Sequence, residues 1–316
     1  MNRKEIFVGI DVSKDSLDVA VVPTGDAKTV PNDDKGMLAL VDLVKALTPT
    51  LVVMESSGGF ESGIVGALAG EELPVVVVNP RRVRDFAKAI GRLAKNDKID
   101  AHVIALFAQS VRPKIRPLKP EETQGLAALS ARRRQIVDMI VAEKNRLGTA
   151  SKWTRKGIQE HIAWLEKCLQ EVNRDLSRSI EESPLWHEKD EILQSTPGVG
   201  PVLSTTILAN LPELGTLGRK EIAALVGVAP FDRDSGRFRG KRLVWGGRAS
   251  VRIALYMSTI AALRSNPVIR EFYLRLRHAG KAPKVAITAC MRKLITILNA
   301  MLRNQRPWAA HSPSCP

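Results

Sequence analysis

Over the first eighty residues the apolar positions fall in short, dense runs separated by turn formers and by two amphipathic stretches. Ile6 to Ile10 and Leu17 to Val22 read as strands, and Ala27 to Val30 as a third before the turn-forming Pro31-Asn32-Asp33-Asp34. Three strands so close together predict an antiparallel meander. Gly36 to Leu47 then reads as an amphipathic helix with Leu40, Leu43, Val44 and Leu47 inward. Leu51 to Met54 is a buried strand, Phe60 to Ala69 a helix, and Val75 to Val78 another buried strand. The predicted order is β-β-β-α-β-α-β, followed by helices.

From about Glu121 to Ile180 the period lengthens. Ile158, Ile162, Leu165, Leu169, Val172 and Leu176 recur at spacings of 4, 3, 4, 3 and 4, an apolar seam of period 3.5 with no Gly or Pro inside it. Such a seam can close an antiparallel hairpin, pair with another subunit, or pack only on its own domain. Pro113, Pro117 and Pro120 mark a linker ahead of it. The last segment opens with Ser195-Thr196-Pro197-Gly198-Val199-Gly200-Pro201 and continues through a predicted helix, Val202 to Leu211. A loop rich in Gly and Arg from Pro230 to Arg248 comes next, then helices around Ser250 to Arg264 and Pro283 to Leu302. These shifts divide the chain into an α/β domain over 1–112, a helical, coiled-coil-like connector over 113–190, a mainly α domain over 191–306 and a frayed tail over 307–316.

Charge sharpens this division. The 316 residues carry 48 Lys+Arg against 33 Asp+Glu, net +15. Residues 1–110 hold 13 and 15, net −2; residues 111–190 hold 16 and 12, net +4; residues 191–316 hold 19 and 6, net +13. A polyanion is the natural partner of the C-terminal field, since each phosphate neutralised releases condensed counterions. An apolar content of 44% excludes disorder as the main state. No apolar run of about 18 residues appears, and the start turns acidic before a signal-like stretch could finish, so a cytoplasmic protein without a membrane partner is expected. Three scattered cysteines and five scattered histidines fit neither a disulfide framework nor a zinc site, so any metal would be held by oxygen.

The order of elements is that of an RNase H-like domain, a mixed sheet whose first strand lies beside its fourth. Asp11 ends the first strand and Glu55 the fourth, so both side chains would project from one sheet edge, about 5 Å apart laterally. Asp97 and Asp100, in Lys95-Asn96-Asp97-Lys98-Ile99-Asp100-Ala101, are three apart at a helix start and share a face. Taken singly, each acid has an ordinary role as a turn residue, a helix-start charge or a solvated group. Taken together they repel one another unless a counterion intervenes. A hard divalent cation, Mg²⁺ or Mn²⁺, reverses that balance and serves phosphoryl transfer.

A second constellation surrounds Ser235. Arg233, Arg237, Arg239, Lys241 and Arg242 lie within seven positions of it, and Gly236 and Gly240 let backbone approach phosphate closely. Asp-Ser-Gly is also an ordinary turn, and the loop an ordinary clamp on a nucleic-acid backbone. Gly198 and Gly200 resemble the hairpin of a helix-hairpin-helix, whose N–H groups hold phosphates; a tight helix–helix turn has the same signature. Trp245 and Phe238 could stack on bases, but aromatic residues are only 4% of the chain, so stacking is not the main binding mode.

The motifs Gly-Ile-Asp-Val-Ser-Lys, Met-Glu-Ser-Ser-Gly-Gly-Phe-Glu and Lys-Asn-Asp-Lys-Ile-Asp-Ala resemble the RuvC-like DEDD domain of the insertion sequence 110 family of transposases. The resemblance continues through Thr196 to Pro201, Gly227-Val228-Ala229-Pro230, Asp234-Ser235-Gly236 and Gly246-Gly247-Arg248, and so covers nearly the whole chain. It implies a DNA transposase or recombinase of a mobile insertion sequence. Asp11, Glu55, Asp97 and Asp100 would hold Mg²⁺ and Ser235 would attack the DNA phosphate. Arg233, Arg237, Arg239, Lys241, Arg242, Arg248, Gly198 and Gly200 would bind nucleic acid. It also implies donor and target double-stranded DNA, a structured non-coding guide RNA (a bridge RNA), and a homodimer or tetramer. The rivals are a junction-resolvase-type nuclease in which Ser235 is structural, a non-catalytic nucleic-acid-binding protein, and a sugar-kinase or actin-like ATPase. The last lacks room for a duplicated second domain and leaves the C-terminal charge unexplained.

Overall fold

The structure, a computed structural model, describes residues 5–92, 97–115, 121–232, 234–235, 238–240 and 242–309; for residues 97, 98, 121, 234, 238 and 239 only the backbone is described. The chain divides into two compact units, Met1–Leu118 and Lys119–Pro316.

Unit 1 is a mixed α/β structure. Its strands are β1 (Phe7–Val12), β2 (Ser16–Val22), β3 (Ala27–Pro31), β4 (Leu51–Glu55) and β5 (Val75–Val78), and its helices α1 (Asp34–Leu47), α2 (Ser62–Gly70), α3 (Pro80–Ala89) and α4 (Asp97–Val111). The sheet order is β3-β2-β1-β4-β5, with β1 antiparallel to β2 and parallel to β4, so the first strand does lie beside the fourth. Because side chains alternate along a strand, each strand feeds two layers. Val8, Ile10 and Val12 pack with Val52 and Met54 against Leu40 and Val44 of α1 and Ile64 and Leu68 of α2. On the opposite face Phe7, Leu51 and Val53 meet Ile104 and Phe107 of α4, while Ala20 and Val22 meet Ala101 and Ala105.

Local chemistry sets the helix starts. Asp33 accepts a hydrogen bond from the Gly36 N–H at 2.8 Å and caps α1, and Asn79 accepts from the Arg81 N–H ahead of Pro80, the first residue of α3. The second helix begins at Ser62 rather than Phe60, because residues 56–61 are held in a hydrogen-bonded turn around Glu61.

Unit 2 is mainly helical: α5 (Glu121–Thr149), α6 (Lys152–Glu181), α7 (Pro184–Gln194), α8 (Pro201–Asn210), α9 (Arg219–Val226), α10 (Ala249–Ser265), α11 (Pro267–His278) and α12 (Pro283–Asn304). The seam of period 3.5 closes a hairpin within the chain. Leu165 is fully buried against Ile136 and Ile140, with Leu169 and Val172 packed beside them. The contacts Arg133–Asn173, Lys144–Glu166 and Glu143–His161 run in opposite chain directions, which makes α5 and α6 antiparallel. Helix α12 is long and apolar enough to cross a membrane by length and composition. In the structure it is a core helix of unit 2, burying Cys290, Leu294, Ile295 and Leu298.

The stretch 230–248, expected as a loop, contains two short antiparallel ladders. Strand β6 (Pro230–Phe231) pairs with β9 (Leu243–Val244), and β7 (Asp234–Ser235) with β8 (Phe238–Arg239). The nested pairs form a β-arm. Its periodicity is too short to be read from sequence, since each strand has two residues.

Candidate active site

Sheet register places the first two acids. Ile10 pairs with Met54, so the next residues, Asp11 and Glu55, end adjacent parallel strands on the face that carries Gly9 and Val53, the side of α4. Helix α4 runs antiparallel to β1. Ala101 and Ala105 lie over Gly9, whereas Ile104 and Phe107 lie over Phe7, so the helix start points toward Asp11. A Cβ built on Gly9 would be 2.3 Å from the Ala101 carbonyl oxygen and 2.3 Å from the Ala105 nitrogen; only glycine permits so close an approach. Asp97 begins α4 and Asp100 directly precedes Ala101, one turn on. Asp11, Glu55 and Asp100 are all half-buried; the side chain of Asp97 lies outside the described residues.

Asp18, absent from the sequence-level set, joins this row. It pairs with Asp11 across β1–β2 and with Thr29 across β2–β3, and is only 7% exposed. It accepts a hydrogen bond from Thr29 Oγ1 at 2.5 Å and a longer one, 3.4 Å, from Ser16 Oγ. Beside Glu55, the Glu61 carboxylate accepts from the Ser57 N–H and Oγ, the Gly59 N–H and the Ser56 Oγ, at 2.8–3.2 Å. Burial raises the pKa of Glu61, but these donors outweigh it and hold the carboxyl below the ordinary glutamate range.

The rim offers carboxylate oxygen, the donor that a hard divalent cation prefers. Among the described residues, no three His, Cys, Asp or Glu side chains converge as a ready-made metal site. The Asp97 side chain lies outside this comparison.

In unit 2, Ser235 is exposed on the β-arm, paired with Phe238 across its inner ladder. Arg242 is exposed and bonds Asp232 at 2.6 Å. Arg233, Arg237 and Lys241 lie outside the described residues, as do the side chains of Arg239 and Phe238. Arg248 is differently placed: both its terminal nitrogens bond Glu213, at 2.5 and 2.6 Å, and one also bonds the Asn210 carbonyl. Gly198 adopts φ +92°, and a Cβ there would be 2.5 Å from the Ala262 Cα, so its packing on α10 alone requires glycine. Gly200 precedes α8 in open space. Phe231, Leu243, Val244 and Trp245 at the arm's root are exposed, and Val244 lines a groove together with Ile253, Tyr256 and Met257.

Unit 1 thus presents a rim of carboxylates at one sheet edge, and the basic unit 2 an exposed serine. Residues 8–150 match the family model of the IS110 DEDD transposase, described as a transposase, and residues 190–274 match that of the transposase IS116/IS110/IS902 family. The pilin gene-inverting protein of Moraxella bovis is 25% identical over 312 residues, spanning 96% of this chain and 97% of that protein. A 44.8 kDa protein of insertion element IS116 from Streptomyces clavuligerus is 25% identical, spanning 98% and 97%. A 42 kDa protein of IS900 from Mycobacterium paratuberculosis is 35% identical over 136 residues, 41% of this chain and 33% of that one. The chain belongs to the IS110 family of transposases. It is a DNA transposase or recombinase.

Proposed function

We propose that the protein cuts and rejoins DNA by attack of Ser235 on a phosphodiester, with unit 1 as a RuvC-like domain whose Asp11, Glu55, Asp97 and Asp100 hold Mg²⁺. The observation that carries this reading is the convergence of Asp11, Glu55 and the start of α4 on one sheet rim. Bound there, the cation would supply positive charge against developing negative charge on phosphate oxygens. The Ser235 hydroxyl gives up its proton and forms a bond to phosphorus; the bond to one DNA oxygen breaks and leaves a strand end as a hydroxyl. The phosphoserine linkage keeps the bond energy, so a DNA hydroxyl can reverse the step without ATP. The arginines of the β-arm, Arg242 among them, offset phosphate charge during the attack.

A structured bridge RNA as guide and a dimer or tetramer complete the proposal. The net +13 of residues 191–316 supports a polyanionic partner, and handling two duplexes calls for several active sites. The test uses full-length protein purified with its co-purifying RNA, which is sequenced and then supplied with matching DNA. Wild type is expected to give a covalent protein–DNA adduct; Ser235→Ala should give none, and Asp11→Asn no strand breakage. Hydrolysed ends without adduct in wild type, or adducts that persist in Ser235→Ala, would sink the serine assignment in favour of a metal-dependent nuclease.

A further inference from the structure

The acidic row at the sheet rim contains one member that the catalytic reading does not use. Thr29, Asp18, Asp11 and Glu55 stand side by side on β3, β2, β1 and β4, with Asp18 registered on Asp11 on one side and on Thr29 on the other. Strands β1, β2 and β4 turn this face toward α4, since Phe7 and Val53 pack with Ile104 and Phe107, and Ala20, two residues from Asp18, packs on Ala101 and Ala105. Like charges directly opposite on neighbouring strands destabilise a sheet, and a carboxylate 93% removed from solvent is unfavourable unless paired or hydrogen-bonded. An asparagine could keep the Thr29 hydrogen bond, so what an aspartate adds at this position is its charge.

We propose that Asp18 is a positioning residue for the metal site: its fixed negative charge, set behind Asp11, raises the affinity of the rim for a divalent cation. This rests on the proposed metal-binding role of Asp11. Thr29 Oγ1 holds the Asp18 carboxylate from the side away from Asp11, and Ser16 Oγ, two residues back on β2, makes a longer contact of 3.4 Å. Ser16 is in turn tied to Ser13, in the turn that follows β1: the two hydroxyls are 2.9 Å apart, and Ser13 Oγ also accepts from the Ser16 N–H. Asp18 therefore acts on the rim in two ways, through its charge and through its contact with Ser16 at the β1–β2 turn, which follows the strand that carries Asp11. Polar groups behind metal ligands orient them and tune affinity in this manner.

The experiment compares full-length wild type with Asp18→Asn, Thr29→Val and Asp11→Asn, reading thermal unfolding and calorimetric binding over a titration of Mn²⁺ and then Mg²⁺. Without metal, Asp18→Asn should unfold near the wild-type temperature, because the Thr29 hydrogen bond can be kept. Its Mn²⁺ affinity should fall about tenfold or more, and its DNA cleavage should need correspondingly more Mg²⁺ yet approach the wild-type rate at saturation. Thr29→Val, which keeps the charge but frees the carboxylate, should lose less affinity than Asp18→Asn. Two outcomes overturn the proposal alone: Asp18→Asn destabilised without metal but binding Mn²⁺ like wild type, or Asp18→Asn indistinguishable from wild type throughout. If wild type itself shows no Mn²⁺ binding that Asp11→Asn abolishes, the metal reading falls, and the proposal with it.

Discussion

Gly9 on β1 and Ala105 on α4 touch backbone to backbone: a Cβ added to Gly9 would lie 2.3 Å from the Ala105 nitrogen. This contact sets how low α4 sits on the sheet, and therefore how close its start comes to Asp11. Gly9→Ala should destabilise unit 1 by about 1–3 kcal/mol through overpacking. Because α4 must lift, it should also impair DNA cleavage more than the lost stability accounts for. Urea unfolding and cleavage assays on the same preparation check both.

Glu61 predicts an acid limit for the turn beside Glu55. Its folded pKa is lowered, so it contributes stability that is present above the unfolded glutamate value and is lost as pH falls through the folded one. Glu61→Gln should therefore be less stable than wild type at neutral pH, and the gap should close as the medium is acidified below the ordinary glutamate range. Thermal unfolding across a pH series measures the gap; a constant difference would contradict the assignment.

Arg242 and Arg248 are both basic residues of one Gly- and Arg-rich stretch, yet they should behave differently. Arg248 is three-quarters buried and bonds Glu213 with both terminal nitrogens, so Arg248→Ala should lower stability by about 1–3 kcal/mol, with a coupling to Glu213→Ala that a double-mutant cycle detects. Arg242 is mostly exposed in its pair with Asp232. Arg242→Ala should leave unfolding unchanged, weaken DNA binding, and flatten the log–log salt dependence by about 1.

Gly227 and Gly247 lock the root of the β-arm. A Cβ on Gly247 would lie 2.2 Å from the Gly227 nitrogen, one on Gly227 would lie 2.2 Å from the Gly246 carbonyl oxygen, and both residues have positive φ. Gly247→Ala combines a clash with backbone strain of about 1–3 kcal/mol. It should abolish adduct formation at Ser235 even where circular dichroism shows unit 2 still helical.

Asp11 and Glu55 can be placed from the sequence because each ends a dense apolar run, and the order of elements makes those runs neighbours. Asp18 cannot be placed in this way. Within Ser16-Leu17-Asp18-Val19 the alternation marks it as the outer side of a half-buried strand, and nothing local says that a helix from far down the chain will cover that side. The seam of Leu165 leaves its partner open in sequence, since a heptad describes one surface and not what meets it; the structure shows α5. Arg248 likewise cannot be told from Arg242 by composition, because its partner Glu213 lies before another helix. Gly198 and Gly227 are visible as motif glycines, but the backbone they make room for, Ala262 and Gly246, is set only by tertiary packing.

Every strand and helix of unit 1 is synthesised before any helix of unit 2. The sheet is complete with Val78, and α4, which brings Asp100, ends at Val111. Chains fold domain by domain during synthesis, so the carboxylate rim can close while the basic segment, residues 191–316, is still being translated. Translation order thus keeps the carboxylate rim and the basic segment apart in time as well as in sequence.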